Sequence, residues 1–196
     1  MSQLAARMRT PLVLWAAMLA STGIYLLVLK VAAPPPQPVD PTMALALNAA
    51  GVMIAVSSVV VPMLVWRAAL GTLRPQIEEV PDEDADAGLF RDAVPKKRVV
   101  RGAMAFFEAA HTKGFAPFVL SLALSEAVCL VGFVLAFMGH PPIHWAPLYA
   151  VGVLLLAARF PTIARLTGSL ERHFDAELVG VPGSARRPAR GTEAGR

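Results

Sequence analysis

FAPFVLSLALSEAVCLVGFVLAFM, the run from Phe115 to Met138, decides how the chain is read. About 20 apolar residues at 1.5 Å rise cross the ~30 Å hydrocarbon core of a bilayer, so this run is long enough to span one. It carries a single carboxylate, Glu126, near its middle. A charge at that depth costs roughly 2.5 to 3.5 kcal/mol on insertion scales, so a carboxylate there calls for a structural or functional reason.

Composition agrees with a membrane setting. Of 196 residues, 56% are hydrophobic and 16% charged, more apolar and less charged than an ordinary soluble domain. The net charge of +4 does not point to nucleic acid, because the basic residues flank the apolar runs instead of forming a separate basic domain. The one cysteine, Cys129, excludes an intramolecular disulfide framework and a cysteine-based metal site.

Before the central run lies a first hairpin, residues 1–70, with spans expected over about 11–32 and 42–66. The first reads as a retained helix and not a signal peptide: its apolar run exceeds a signal core, and Lys30 and Pro34 crowd the cleavage-like Val31, Ala32 and Ala33. The prolines of Ala33 to Pro41 forbid helix continuation and make a linker. The second span has no charge before Arg67 and contains Pro62, which predicts a kink near its end. Its Ser57 and Ser58 are placed to bond backbone carbonyls one turn back.

Residues 71–112 form a hydrophilic connection that is acidic first (Glu78, Glu79, Asp82, Glu83, Asp84, Asp86) and then basic (Lys96, Lys97, Arg98, Arg101). The acidic part predicts a disordered or solvated turn. Past Pro95, two readings stand open: an interfacial helix with Val99, Val100, Met104, Phe106 and Phe107 on its apolar side, or a plain stop-transfer flank. Glu108 and His111 form one E-x-x-H pair, which without a second pair predicts no metal site.

A second hairpin, residues 113–160, has spans over about 114–138 and 143–159. His140 and His144 sit in its connection, where Pro141 and Pro142 break any helical spacing, and they read as exposed loop histidines. Trp145 and Tyr149 suit an interface. Residues 161–196 are a basic tail whose first part predicts a surface helix and whose end predicts disorder.

Lys and Arg counts orient the spans. The amino terminus has two (Arg7, Arg9), the stretch from Arg67 to Lys113 eight and that from Arg159 to Arg196 seven, whereas the two short connections hold only Lys30. The positive-inside rule then puts both termini and the long connection in the cytoplasm.

On a wheel of ~100° per residue, Ser121, Ser125, Cys129, Gly132 and Ala136 form a narrow face of small side chains suited to packing on another helix. Glu126 lies at the edge of that face, toward Leu122, Leu130 and Phe133. A carboxyl group in hydrocarbon is cheapest in its neutral form unless a cation or several donors meet it. Donors at matching depth are Ser21 and Thr22 on the first span, Ser57 and Ser58 on the second, Ser125 beside it, and Tyr149 on the fourth. Two roles fit: a polar clasp between helices, or a group that takes up and releases a proton or cation.

The segment LALSEAVCLVGFVLAFM, Leu122 to Met138, resembles the carboxylate-bearing helix of the proton-translocating c subunit of rotary ATPases. The resemblance implies that Glu126 is the ion-carrying carboxylate and Gly132 the glycine that follows it. It covers these residues and no others.

The fold expected is all-α, a polytopic membrane protein with four transmembrane helices in an antiparallel bundle. Its expected place is the bacterial inner (plasma) membrane, multi-pass. No nucleophile with a base, no phosphate-cradling loop and no metal set is visible, so neither catalysis nor a cofactor is expected. The partners expected are the lipid bilayer and a second copy or another membrane protein, with a proton or cation if Glu126 handles ions, and no nucleic acid.

Overall fold

The structure, a computed structural model, describes residues 2–32, 34–35, 40–82, 96–181 and 184, with side chains from residue 8 onward. It is mostly helical. The described elements are α1 (Ser2–Ala32), α2 (Pro41–Gly71), β1 (Ile77–Pro81), β2 (Lys96–Val100), α3 (Ala103–Phe137), α4 (Pro142–Ala157) and α5 (Ile163–Phe174). Three helices are long and apolar enough to cross a membrane, over Met8–Ala32, Pro41–Gly71 and Ala103–Phe137, while Pro142–Ala157 is shorter. The chain divides into two units, one of Met1–Leu70 with Lys113–Pro161 and one of Gly71–Thr112 with Thr162–Arg196.

The first unit holds α1, α2, the apolar length of α3, and α4. Apolar composition makes these helices, and local signals end them. Asp40 caps α2 by accepting from Thr42 N at 2.9 Å, with Pro41 at the first position, where its missing N–H costs nothing. Gly139, at φ 81°, ends α3 in the left-handed region and lets His140 N donate back to Leu135 O at 3.1 Å. The helices reach further than the sequence indicates: α1 starts at Ser2 with Pro11 inside it, and α2 runs past Arg67 to Gly71.

Contacts fix the directions. Trp15 Nε1 donates to Leu156 O at 2.8 Å and Tyr149 Oη donates to Thr22 O, so α1 and α4 run oppositely. Gly51 lies against Leu148 and Val131, and Gly114 against Trp66, so α2 opposes α3 and follows α4. Two buried clusters result. Leu122, Cys129, Tyr149 and Leu156 pack with α1 residues including Trp15, Met18 and Tyr25, whereas Val128, Leu135 and Leu148 pack with Leu47, Ile54 and Ala55 of α2. The hairpin of α3 and α4 is thus shared by both clusters, with α1 on one and α2 on the other.

The α3–α4 contact is close because its residues are small. A Cβ on Gly152 would stand 2.4 Å from Cys129 Sγ and 3.0 Å from Ser125 O, so no larger residue fits without separating the helices. Outward faces carry exposed Val13, Ile24, Leu27, Leu45, Met53 and Leu64, an apolar exterior of the kind that marks a membrane or protein contact.

The second unit corrects the all-α expectation, because the described residues include a two-stranded sheet. β1 and β2 pair antiparallel, with Glu79 opposite Arg98 and Val80 opposite Lys97. β2 also bridges the tail: Val100 N donates to Glu177 O at 3.0 Å and Glu177 N to Arg98 O at 2.8 Å. Glu78 and Glu79 therefore lie in a strand and not in a disordered turn. Val99 and Val100 lie in β2, and Met104, Phe106 and Phe107 in α3, so the two groups do not share one interfacial helix. Glu83, Asp84, Asp86, Arg186, Arg187 and Arg190 lie outside the described residues.

Charge complementarity explains the pairing. Arg101 meets Glu78 at 3.1 Å, Lys96 meets Glu79 at 3.6 Å, and Lys97 meets both Asp82 and Glu177 at 3.6 and 3.7 Å. Opposite charges facing across strands contribute roughly 0.2–1 kcal/mol each. Beneath them Val100, Phe107, Ala110, Leu170 and Leu178 are buried, and Phe106 meets Phe174 edge to face at 5.3 Å. The helix expected at the start of the tail is α5, capped by Thr162, whose Oγ1 accepts from Arg165 N.

Pro62 has no N–H, so the carbonyl of Ser58, four residues back, lacks its helical donor. Arg159, immediately beyond α4, fills that gap. Its Nη2 donates to Ser58 O at 2.5 Å and its Nη1 to Ser121 O at 2.7 Å, which joins α2, α3 and the end of α4. Restoring the N–H with Pro62→Ala is therefore expected to make Arg159→Met cheaper. In the unmodified chain Arg159→Met is expected to cost about 1.5–3 kcal/mol, the range for bonds from a charged donor, as measured by unfolding in detergent micelles. An equal cost in both backgrounds contradicts this coupling.

Candidate functional site

The site is the crossing of α1 and α3 around Glu126. Ser21 and Tyr25 stand four residues apart on α1, one helical turn, so both hydroxyls leave the same face. Both reach the same carboxyl oxygen: Ser21 Oγ lies 2.5 Å and Tyr25 Oη 2.9 Å from Glu126 Oε1, each placed to donate. Ser21 Oγ also lies 2.7 Å from Met18 O. The Tyr25 ring packs on Phe133 of α3 at 5.3 Å between centroids, which holds its hydroxyl at the level of Glu126. All three polar residues are half-buried, so the carboxyl group sits at the rim of the helix pair and is not sealed inside it.

The donors read from the sequence divide. Ser21 meets Glu126, but the other candidates are engaged elsewhere. Thr22 Oγ1 donates to Leu19 O, Ser58 Oγ to Ala55 O, Ser125 Oγ to Ser121 O and Tyr149 Oη to Thr22 O. Ser57 is half-buried on α2 and has no bond to Glu126 among the described residues. The physical reason is reach: a serine or threonine hydroxyl on a helix finds its own carbonyl three or four residues back before it can cross to a neighbour. Tyr25, whose hydroxyl stands far from its own backbone, crosses. Its i, i+4 relation to Ser21 was the signal available in the sequence.

The small-residue face of α3 lies inside the unit. Ser121, Ser125, Cys129, Gly132 and Ala136 are all buried, and Gly132 stands against Trp145 O and Tyr149 N of α4. Cys129 Sγ lies 3.7 Å from Tyr149 O. Arg159, just past the end of α4, reaches helix carbonyls of α2 and α3 with its guanidinium.

His140 corrects the exposed-loop reading. It is 5% exposed and its Nδ1 has no hydrogen-bond partner among the described residues, while His144 is exposed with its ring 6.2 Å away. Glu108 and His111 lie one turn apart in the second unit, where the His111 ring stacks on Phe107. Among the described residues no group of three or more His, Cys, Asp or Glu is placed to hold a metal ion.

No protein-family model, curated protein or solved structure matches the chain.

Interhelical hydrogen bonds in a membrane are worth about 0.6 kcal/mol on average and up to ~1.7. The Tyr25–Glu126 bond is expected to fall in that range in a double-mutant cycle of Tyr25→Phe and Glu126→Leu, read by unfolding in micelles. Tyr25→Phe should cost stability in the unmodified chain and nearly nothing once Glu126 is leucine. Additive losses contradict the bond.

Proposed function

We propose that the chain is a four-span integral membrane protein with a structural or accessory role, in which Glu126 clasps α1 to α3. Its partners on this reading are the bilayer and a second copy or another membrane protein, with both termini in the cytoplasm of a bacterial inner membrane. α4, 16 residues and about 24 Å long, is short of the ~30 Å core. Local thinning of the bilayer and the inward reach of Arg159 accommodate that difference.

The observation that carries the clasp is the convergence of two α1 hydroxyls on one α3 carboxyl oxygen. Proton counting refines it. Ser21 has one hydroxyl proton and two acceptors in reach, Met18 O and Glu126 Oε1. That proton is shared between the two acceptors, while Tyr25 Oη donates to the same Glu126 oxygen. The hydroxyls of Thr22, Ser58, Ser121, Ser125 and Tyr149 end on main-chain carbonyls, which carry no exchangeable proton. Those hydroxyls are therefore engaged away from Glu126 and leave Ser21 and Tyr25 as its donors.

A second reading is supported by the half-buried position of Glu126, which leaves it open to approach from outside the helix pair. On that reading the likeness of Leu122 to Met138 to a rotary ATPase c subunit is functional, and Glu126 carries a proton or cation.

Flux into liposomes containing the purified chain separates the two. The clasp predicts no proton or sodium flux from the chain or from Glu126→Gln, together with lower thermal stability in Glu126→Leu, which can no longer accept. Flux that disappears in Glu126→Gln overturns the clasp in favour of ion handling.

A further inference from the structure

At the end of the four-helix unit where α1 and α3 finish and α4 begins, a cavity of about 360 Å³ opens, lined by Leu26, Leu29, Lys30, His140, Pro142 and Trp145 among others. That volume falls within the ~300–1,000 Å³ of ligand pockets. Its walls are apolar, yet two electropositive features and a buried imidazole meet there. Lys30 forms no ion pair among the described residues. The amino-terminal end of α4, the positive end of its dipole, meets the cavity at Pro142, which has no N–H to donate and contributes through the dipole alone, with no acidic residue in the first turn. His140 is 5% exposed and holds an Nδ1 with no partner among the described residues, a costly state that a ligand relieves. Among the described residues no Asp or Glu lines the cavity.

We propose that this cavity binds an oxyanion, a phosphate group of the kind carried by an anionic lipid headgroup, with Lys30 as counter-charge, His140 as hydrogen-bonding partner and Leu26, Leu29 and Trp145 against the apolar part. The same chemistry admits free phosphate, and the two sources are told apart by experiment. The lipid source rests on the membrane reading above; the phosphate source does not.

The test uses the full chain purified in a non-ionic detergent. Retention of dioleoyl phosphatidylglycerol against dioleoyl phosphatidylcholine is read by native mass spectrometry, and inorganic phosphate is titrated in a thermal-shift assay. The proposal predicts retention of one phosphatidylglycerol, about tenfold weaker in Lys30→Ala and in His140→Phe, the loss expected for a bond to a charged group. Leu29→Trp, which fills the cavity and keeps both polar groups, should weaken it equally, and circular dichroism verifies the fold of each variant. Phosphate that stabilises the chain and displaces the lipid identifies a soluble oxyanion as ligand. Phosphate without effect beside selective lipid retention identifies the headgroup. Equal retention of the two lipids with no response to phosphate overturns the proposal, as does selectivity or a phosphate response that survives in all three variants.

Discussion

Polar groups inside an apolar helical unit have to find partners within it, and this constraint organises the four-helix unit. Most of its hydroxyls meet it locally: Thr22, Ser58, Ser121 and Ser125 each return to a carbonyl of their own helix. Those bonds satisfy the hydroxyl but say nothing about which helices lie together. The groups that cross do. Trp15 donates to α4, Tyr149 to α1, Ser21 and Tyr25 lie at Glu126, and Arg159 answers the carbonyl that Pro62 leaves without a donor. Where hydrocarbon supplies no competing water, an unmet polar group costs several kcal/mol, so these few bonds choose the arrangement.

Packing and polar bonds divide the labour among the helices. α3 and α4 are held by close approach, with Gly152 against Cys129 and Ser125 and Gly132 against Trp145 and Tyr149, and Cys129 Sγ lies 3.7 Å from Tyr149 O across the same contact. α1 is different. Much of it faces outward, including Val13, Ile24 and Leu27, and its attachment depends more heavily on Trp15, Thr22 and the pair Ser21 and Tyr25. The carboxyl group of Glu126 on α3 stands where two of those α1 hydroxyls converge.

The long apolar helices were legible because length and composition alone mark them, and the lone carboxylate stood out for the same reason. Residue partners were not. Helical geometry places Ser57, Ser58, Ser125 and Tyr149 at useful depths, but it does not say that their own carbonyls win, nor that Tyr25 reaches past them. The strand pairing was hidden for a related reason. IEEVP looks like a solvated turn and KKRVV like an interfacial helix or the flank of a span, and the information lies in their mutual complementarity and in Glu177 of the distant tail. Arg159 looked like a flanking charge because the vacancy it fills belongs to Ser58, on another helix, through a proline four residues further along. Each failure is one of tertiary pairing, which a local pattern does not encode.

The most direct test of the clasp measures the distance between α1 and α3 in a bilayer. Spin labels at positions 23 and 123, both exposed in the structure, report it by double electron–electron resonance. The clasp predicts one narrow distribution in the otherwise unmodified chain that broadens when Ser21 and Tyr25 are replaced by Ala and Phe. A distribution of the same width and centre in both chains contradicts it, because α1 would then be held without Glu126.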